Sequence, residues 1–281
     1  MTYIGLATRF TNSTHTIANY QAVKNKMLQY GLNVIRLGSG DELFGSSYTW
    51  HNGDAVQWFL DNTDVAVIVD RHHTINNTFM TQAQWNTIDA NLDAMAVRWV
   101  AYGDRVLLEP VNEYAGTDFQ SQMQRIINTF RGNGRTTWLI FNTFPPWTRA
   151  ILTDSLRKTY AGDHYYMNLA TATNDYGLTC FNRMVDGHGI TGLPMFGSEE
   201  GADYNETPAF TKEKVDALSR YLQLCADAGY SNVVWMLSEL KNMPTYESLG
   251  IVFPTVPSTQ KKYVFKQWQD GDTNPTKTVI I

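Results

Sequence analysis

Glu113 follows Asn112 in the run Leu108-Glu109-Pro110-Val111-Asn112-Glu113, and far downstream two further glutamates, Glu199 and Glu200, stand side by side. Two carboxyl groups facing each other across a gap the width of a sugar can cleave a glycosidic bond. One stays protonated and gives its proton to the leaving oxygen, while the other stays ionised and attacks the anomeric carbon. Other residues offer what such a pair needs. Arg36 and Tyr166 can hydrogen-bond the ionised carboxylate and favour its charged form, whereas Glu113 requires a less polar setting to remain a proton donor near neutral pH. His72, His73 and His164 supply imidazoles, and Trp235 supplies a flat apolar face of the kind that stacks on a pyranose ring.

These residues meet only if the fold carries them to one face. Short apolar, β-branched runs at Tyr3 to Ala7, Val34 to Leu37, Val65 to Val69, Arg105 to Leu108, Thr137 to Phe141, Tyr165 to Leu169, Leu193 to Phe196 and Asn232 to Leu237 predict eight strands. Helical spacing lies between most of them, at Ile17 to Tyr30, Ala55 to Asn62, Gln82 to Tyr102, Asp118 to Gly132, Phe181 to Val185 and Lys212 to Ala228, with a last amphipathic stretch at Gln260 to Trp268. Gly31, Gly103, Gly132 and Gly229 stand where those helices should stop. Eight alternating units of this kind predict an α/β chain folded as a closed (β/α)8 TIM barrel, in a single domain spanning residues 1–281. The alternative, an open doubly wound sheet, lacks a Gly-rich phosphate loop after the first strand. In a barrel the active site lies at the C-terminal strand ends. Arg36, Asp70, Arg71, His72, His73, Asn112, Glu113, His164, Tyr166, Glu199, Glu200 and Trp235 all fall there.

Composition narrows the partners. A formal charge of -5 and scattered Lys and Arg leave no basic stripe for nucleic acid or an anionic membrane. No run approaches the length of a membrane span, and Met1 to Phe10 lacks the pattern of a signal peptide. Cys180 and Cys225 match no metal spacing and read as buried thiols, with a single bridge as the other option. Asn-x-Ser/Thr triplets at Asn12, Asn76 and Asn205 carry no information about compartment.

Six of these segments, in order along nearly the whole chain, resemble glycoside hydrolase family 5 of clan A. The run ending in Asn112-Glu113 is similar to the family's strand-four motif, and Pro194-Met195-Phe196-Gly197-Ser198-Glu199-Glu200-Gly201 to its strand-seven motif, in which a Glu two positions before a Gly is the nucleophile. Asn33-Val34-Ile35-Arg36, Val69-Asp70-Arg71-His72 and His164-Tyr165-Tyr166 resemble strands two, three and six, and Trp235 the Trp of strand eight. The resemblance implies that Glu113 is the acid/base, Glu199 the nucleophile and Asn112 the contact to the substrate 2-hydroxyl. It implies that Arg36 and Tyr166 orient Glu199, that His72 and His164 line the subsite at the cleavage point, and that Trp235 floors it. Two departures stand out: Tyr114 occupies the place where the family usually has Pro, and Pro110 interrupts strand four.

The implied activity is retaining, endo-acting hydrolysis of a β-linked polysaccharide or oligosaccharide, with β-1,4-glucan first and β-1,4-mannan second. No cofactor or metal is expected, a monomer is the default state, and the site of action is expected outside the cell. Two readings from other classes are a barrel that binds glycan without cutting it and a metal-dependent hydrolase using His72, His73 and His164. Tyr3 to Thr8 holds no His-x-His of the kind metal barrels carry on strand one. Trp50, Trp147, Tyr114, Tyr204 and Tyr246 are candidate outer subsites, Glu109 a partner in a polar network beneath the site, and His188 structural; His73 and Glu200 receive no role.

Overall fold

In the computed structural model eight strands run parallel and close into a barrel in the order β1 to β8. The structure describes residues 2–8, 10, 15–39, 52–71, 79–142, 151–203, 210–236 and 241–255. Strands β1 (Ile4–Thr8), β2 (Val34–Ser39), β3 (Ala66–Arg71), β4 (Val106–Glu109), β5 (Trp138–Asn142), β6 (Thr159–Tyr166), β7 (Met195–Gly201) and β8 (Ser231–Trp235) alternate with helices on the outside. The helices are α1 (Ile17–Gln29), α2 (Asn52–Asn62), α3 (Gln82–Arg98), α4 (Phe119–Gly132), α5 (Tyr176–Thr191), α6 (Lys212–Ala228) and a short α7 (Met243–Ser248). This is the (β/α)8 architecture expected from the alternation. None of the described helices is long and apolar enough to cross a membrane.

Local chemistry sets the helix ends. Thr81 and Gln84 form a reciprocal capping box at the start of α3, satisfying two of its otherwise orphaned N–H groups. Gly229 ends α6 in a left-handed conformation at φ 79°. The expected stop at Gly132 shifts, because α4 runs through Gly132 and Gly134 takes the positive φ of 75° instead. Three elements differ more widely from expectation. β6 begins at Thr159, not Tyr165, because Gly162, Asp163 and His164 do not look like strand residues. β7 runs on through the polar residues to Gly201. α5 extends over sixteen residues where only Phe181 to Val185 was readable. The stretch Gln260 to Trp268 and the triplets at Asn12, Asn76 and Asn205 lie outside the described residues.

Inside the barrel, side chains two positions apart form layers. Tyr3, Trp138, Tyr160 and Phe196 pack in the inner apolar cluster. Tyr160 meets Phe196 edge-on at 5.4 Å and lies tilted against Trp138 at 5.0 Å, and Phe196 stacks on Tyr3 at 6.0 Å. The next inward residues are Val34, Ile68, Leu107 and Ile140, and two positions further on each strand turns polar, at Arg36, Asp70, Glu109 and Asn142. The outward faces, such as Ile35, Val67, Leu108 and Leu139, join Val23, Phe59, Ile127 and Leu218 in a second apolar layer beneath the helices. Phe196 is fully buried and touches two other rings. Phe196→Ala is therefore expected to lower unfolding free energy by about 3–5 kcal/mol. Urea denaturation measures this, and a loss under 1 kcal/mol contradicts the packed inner layer.

Candidate active site

Arg36 organises the polar layer. Its side chain is wholly buried, and its Nε and Nη2 donate to Glu109 Oε2 and Oε1 at 2.7 and 3.1 Å. Nη1 donates to Glu199 Oε2 at 2.8 Å, and Nη2 also reaches Asn112 Oδ1 at 2.8 Å and Asp70 Oδ2 at 3.0 Å. One guanidinium thus faces three carboxyl groups. Burial disfavours its charge, but Asp70, Glu109 and Glu199 outweigh that and hold it protonated. Burial pushes the Glu109 carboxyl up to about 7, against the pull of Arg36. Ser198 Oγ donates to Glu109 Oε1 at 3.2 Å, and Asn142 Nδ2 donates to the same oxygen.

Glu199 receives a second hydrogen bond, from the Tyr166 hydroxyl to Oε1. Both of its oxygens are thereby held by donors. Burial, then the Glu199 charge, push the Tyr166 hydroxyl well above its usual range, so it stays a donor. Across from it, Glu113 Oε1 lies 2.8 Å from His164 Nδ1, and His164 Nε2 lies 3.1 Å from Ser198 Oγ. Burial alone would lower the His164 pKa, but the Glu199 and Glu113 charges raise it. Glu113, His164 and Glu199 each present an atom within 4.8 Å of the others. By spacing these three could also ligate a cation, but a guanidinium already sits on Glu199, and like charges in so small a volume repel.

Backbone irregularities place the two glutamates. β4 ends at Glu109, and Pro110, lacking an N–H, cannot extend the ladder. The chain turns, Asn112 N bonding Arg71 O at 3.2 Å and Glu113 N bonding Asn142 Oδ1 at 2.6 Å. Glu113 takes a left-handed φ of 52°, a conformation that costs a non-glycine residue about 1–3 kcal/mol and is typical of functional positions. On β7 a bulge does the corresponding work. Asp163 pairs with Gly197 but His164 with Glu199, and on the other edge Gly197 pairs with Asn232 but Glu200 with Val234. The extra residue turns both Ser198 and Glu199 inward and leaves Glu200 outside.

A protein-family model described as cellulase, glycosyl hydrolase family 5, matches residues 3–241. The chain belongs to glycosyl hydrolase family 5. No curated protein matches the sequence significantly. Among solved structures, the cellulose synthase subunit Z of Clostridioides difficile superposes with a TM-score of 0.65 at 13% identity, covering 84% of this chain and 91% of that one. XacCel5A, solved in complex with cellopentaose, gives 0.61 at 16%, covering 84% and 88%. An endo-β-1,4-glucanase of Xanthomonas axonopodis pv. citri gives 0.59 at 15%, with 84% and 88% covered. At these identities the likeness establishes the fold.

Within this family 5 glycoside hydrolase, Arg36, Asn112, Glu113, His164, Tyr166 and Glu199 converge as the sequence implied, in one hydrogen-bonded cluster. Trp235 sits at the inner C-terminal end of β8, paired with Ala7 and nearly buried. His72 and His73 lie outside the described residues, as do Trp50, Trp147 and Tyr204. Tyr114 and Tyr246 are not outer subsites. Tyr114 is wholly buried against Trp85 and Phe119, its hydroxyl donating to Asp118 at 2.6 Å, because the turn at Glu113 sends the next residue away from the cleft. Tyr246 is buried beside Phe210, its hydroxyl accepting from Ala202 N at 3.0 Å. Glu109 lies in the polar network as expected, His188 bonds the Leu193 carbonyl, and both cysteines are free and buried. Asn142 and Ser198 were missed. Asn142 was findable by the strand-end rule applied to the others; Ser198 faces inward only because of the bulge.

Proposed function

We propose that this enzyme is an endo-acting β-1,4-glucanase that cleaves with retention of configuration, as a monomer with one catalytic domain over residues 1–281, on polysaccharide outside the cell. The observation that carries the reading is the pairing of Glu113 with Glu199 across the barrel mouth, their nearest oxygens within 4.8 Å. Retaining enzymes hold their carboxyl groups about 5–5.5 Å apart, and inverting ones about 6.5–9.5 Å. Glu113, sharing a hydrogen with His164 Nδ1, protonates the leaving oxygen. Glu199, gripped by Arg36 and Tyr166, attacks the anomeric carbon and forms a glycosyl ester. Glu113 then deprotonates the water that releases the sugar. Asn112 meets the 2-hydroxyl, His72 and His164 line the cleavage subsite, and Trp235 stacks on the ring above them. The glucan preference is supported by the cellopentaose and endo-β-1,4-glucanase of two structural neighbours.

The test is reducing-sugar release from carboxymethyl cellulose, mixed-linkage glucan, glucomannan, galactomannan, laminarin and xylan, with proton NMR of the first-formed anomer. Release of the β-anomer from glucans, lowered about 10²–10⁴-fold by Glu113→Gln, is the expected result, with kcat/KM but not kcat restored for aryl glycosides with good leaving groups, because the second step still lacks its base. Faster release from mannans reassigns the substrate. Binding without release from any polymer replaces hydrolysis with glycan recognition.

A further inference from the structure

Glu200 takes no part in that chemistry, yet it is wholly buried on the outer side of β7. Its Oε2 accepts from Tyr165 N on β6 at 2.9 Å, and its Oε1 lies 3.2 Å from the Tyr221 hydroxyl on α6. That hydroxyl also reaches Asn232 Oδ1 on β8 at 2.9 Å. The carboxyl folds back over Gly197, where a Cβ would stand 2.0 Å from Glu200 Oε1 and 2.2 Å from Asn232 Oδ1. Only glycine leaves room for this arrangement. β6 and α6 therefore bond this side chain directly and β8 joins through Tyr221, at the place where β7 departs from regular pairing.

A flat β7 would continue the alternation from Phe196 and present Ser198 and Glu200 to the interior, with Glu199 outside. The bulge presents Glu199 instead. We propose that Glu200 is a positioning residue for Glu199, its carboxyl clamping the bulge to β6 and, through Tyr221, to α6 and β8, so that Glu199 and not Glu200 faces Arg36. The proposal rests on Glu199 being the nucleophile. The groups around the clamp are Asp163, Tyr165, Tyr221, Cys180, Cys225 and Glu199, and among the described residues no cation hydrogen-bonds Glu200. Burial, then Asp163, push its carboxyl well above the usual carboxylate range. A neutral acid keeps one accepting and one donating oxygen, which an amide of the same shape reproduces.

The experiment compares Glu200→Leu, Glu200→Gln and Tyr221→Phe with the unaltered enzyme on 2,4-dinitrophenyl β-cellobioside. For Glu200→Leu, kcat is expected to fall at least about tenfold with KM within about twofold, because a displaced nucleophile costs turnover more than binding. The acid limb of its pH profile moves as Glu199 loses its fixed donors. Glu200→Gln recovers most of the lost turnover. If Glu200→Leu fails to fold, Tyr221→Phe, which deletes one hydroxyl, is expected to show a smaller loss in kcat at unchanged KM. Wild-type kcat and acid limb in Glu200→Leu, or in Tyr221→Phe where Leu does not fold, overturn the proposal. Full activity in Glu199→Gln instead removes the nucleophile assignment. In that case a crystal structure of Glu200→Leu still decides about the clamp: Glu199 displaced from Arg36 supports it, and an unmoved Glu199 overturns it.

Discussion

Glu199→Gln is expected to lower turnover by roughly 10⁴-fold or more while making the protein more resistant to heat. The amide cannot form the glycosyl ester, so the double displacement stops at its first step. The gain in stability follows from the charges around Arg36, where one buried guanidinium faces Asp70, Glu109 and Glu199. Removing one carboxylate leaves two, still hydrogen-bonded, and relieves repulsion among the three. About 1 kcal/mol of relief corresponds to a rise of roughly 2–4 °C in a chain of this size. Aryl cellobioside kinetics and calorimetry read both quantities together. A variant that keeps a tenth of wild-type turnover contradicts the nucleophile assignment, and one that melts earlier contradicts the charge argument.

Arg36→Met is expected to cost about 3–5 kcal/mol of stability, because three buried acids lose the guanidinium that pairs with each of them. The loss depends on pH in a stated direction. Burial already raises the Glu109 carboxyl to about 7 in the presence of Arg36, and without the guanidinium its folded value rises further. In the unfolded chain the Glu109 carboxyl titrates near its ordinary value of about 4.3. Between that value and the raised folded value of Glu109, the folded variant binds more protons than the unfolded chain, so its stability falls as pH rises. Urea denaturation at pH 4.5 and pH 8 should therefore show a small penalty at the lower pH and the full penalty at the higher. Equal penalties at the two values would mean that the lost contacts, not the stranded charges, dominate.

The barrel was legible because its signal is repeated: apolar runs and helical spacing recur, and each misplaced boundary left the alternation intact. β6 and β7 were read poorly because Asp163, His164 and the stretch from Ser198 to Glu200 are strand residues suited to what they hydrogen-bond, and Gly162 and Gly201 leave room for Asn142 and Tyr166, rather than having strand propensity. The site residues were legible by position, as the polar ends of otherwise apolar strands. What pattern alone could not show is the inward pair Ser198 and Glu199, which violates the two-residue period, or the outward path of Tyr114. Both depend on backbone irregularities that residue types do not encode directly, the bulge in β7 and the left-handed turn at Glu113.

Arg36 stands on β2 and its ion partners on β3, β4 and β7, so the cluster joins segments spread over most of the chain. Helices and neighbouring strand pairs gain their contacts early and locally, whereas this cluster gains nothing until the most distant segment docks. A nascent chain that lacks β7 would carry Arg36, Asp70 and Glu109 at an open rim, where water solvates each of them better than an unfinished interior does. Burial of these charges therefore waits on the docking of β7, and the catalytic apparatus depends on contacts between segments far apart in the sequence.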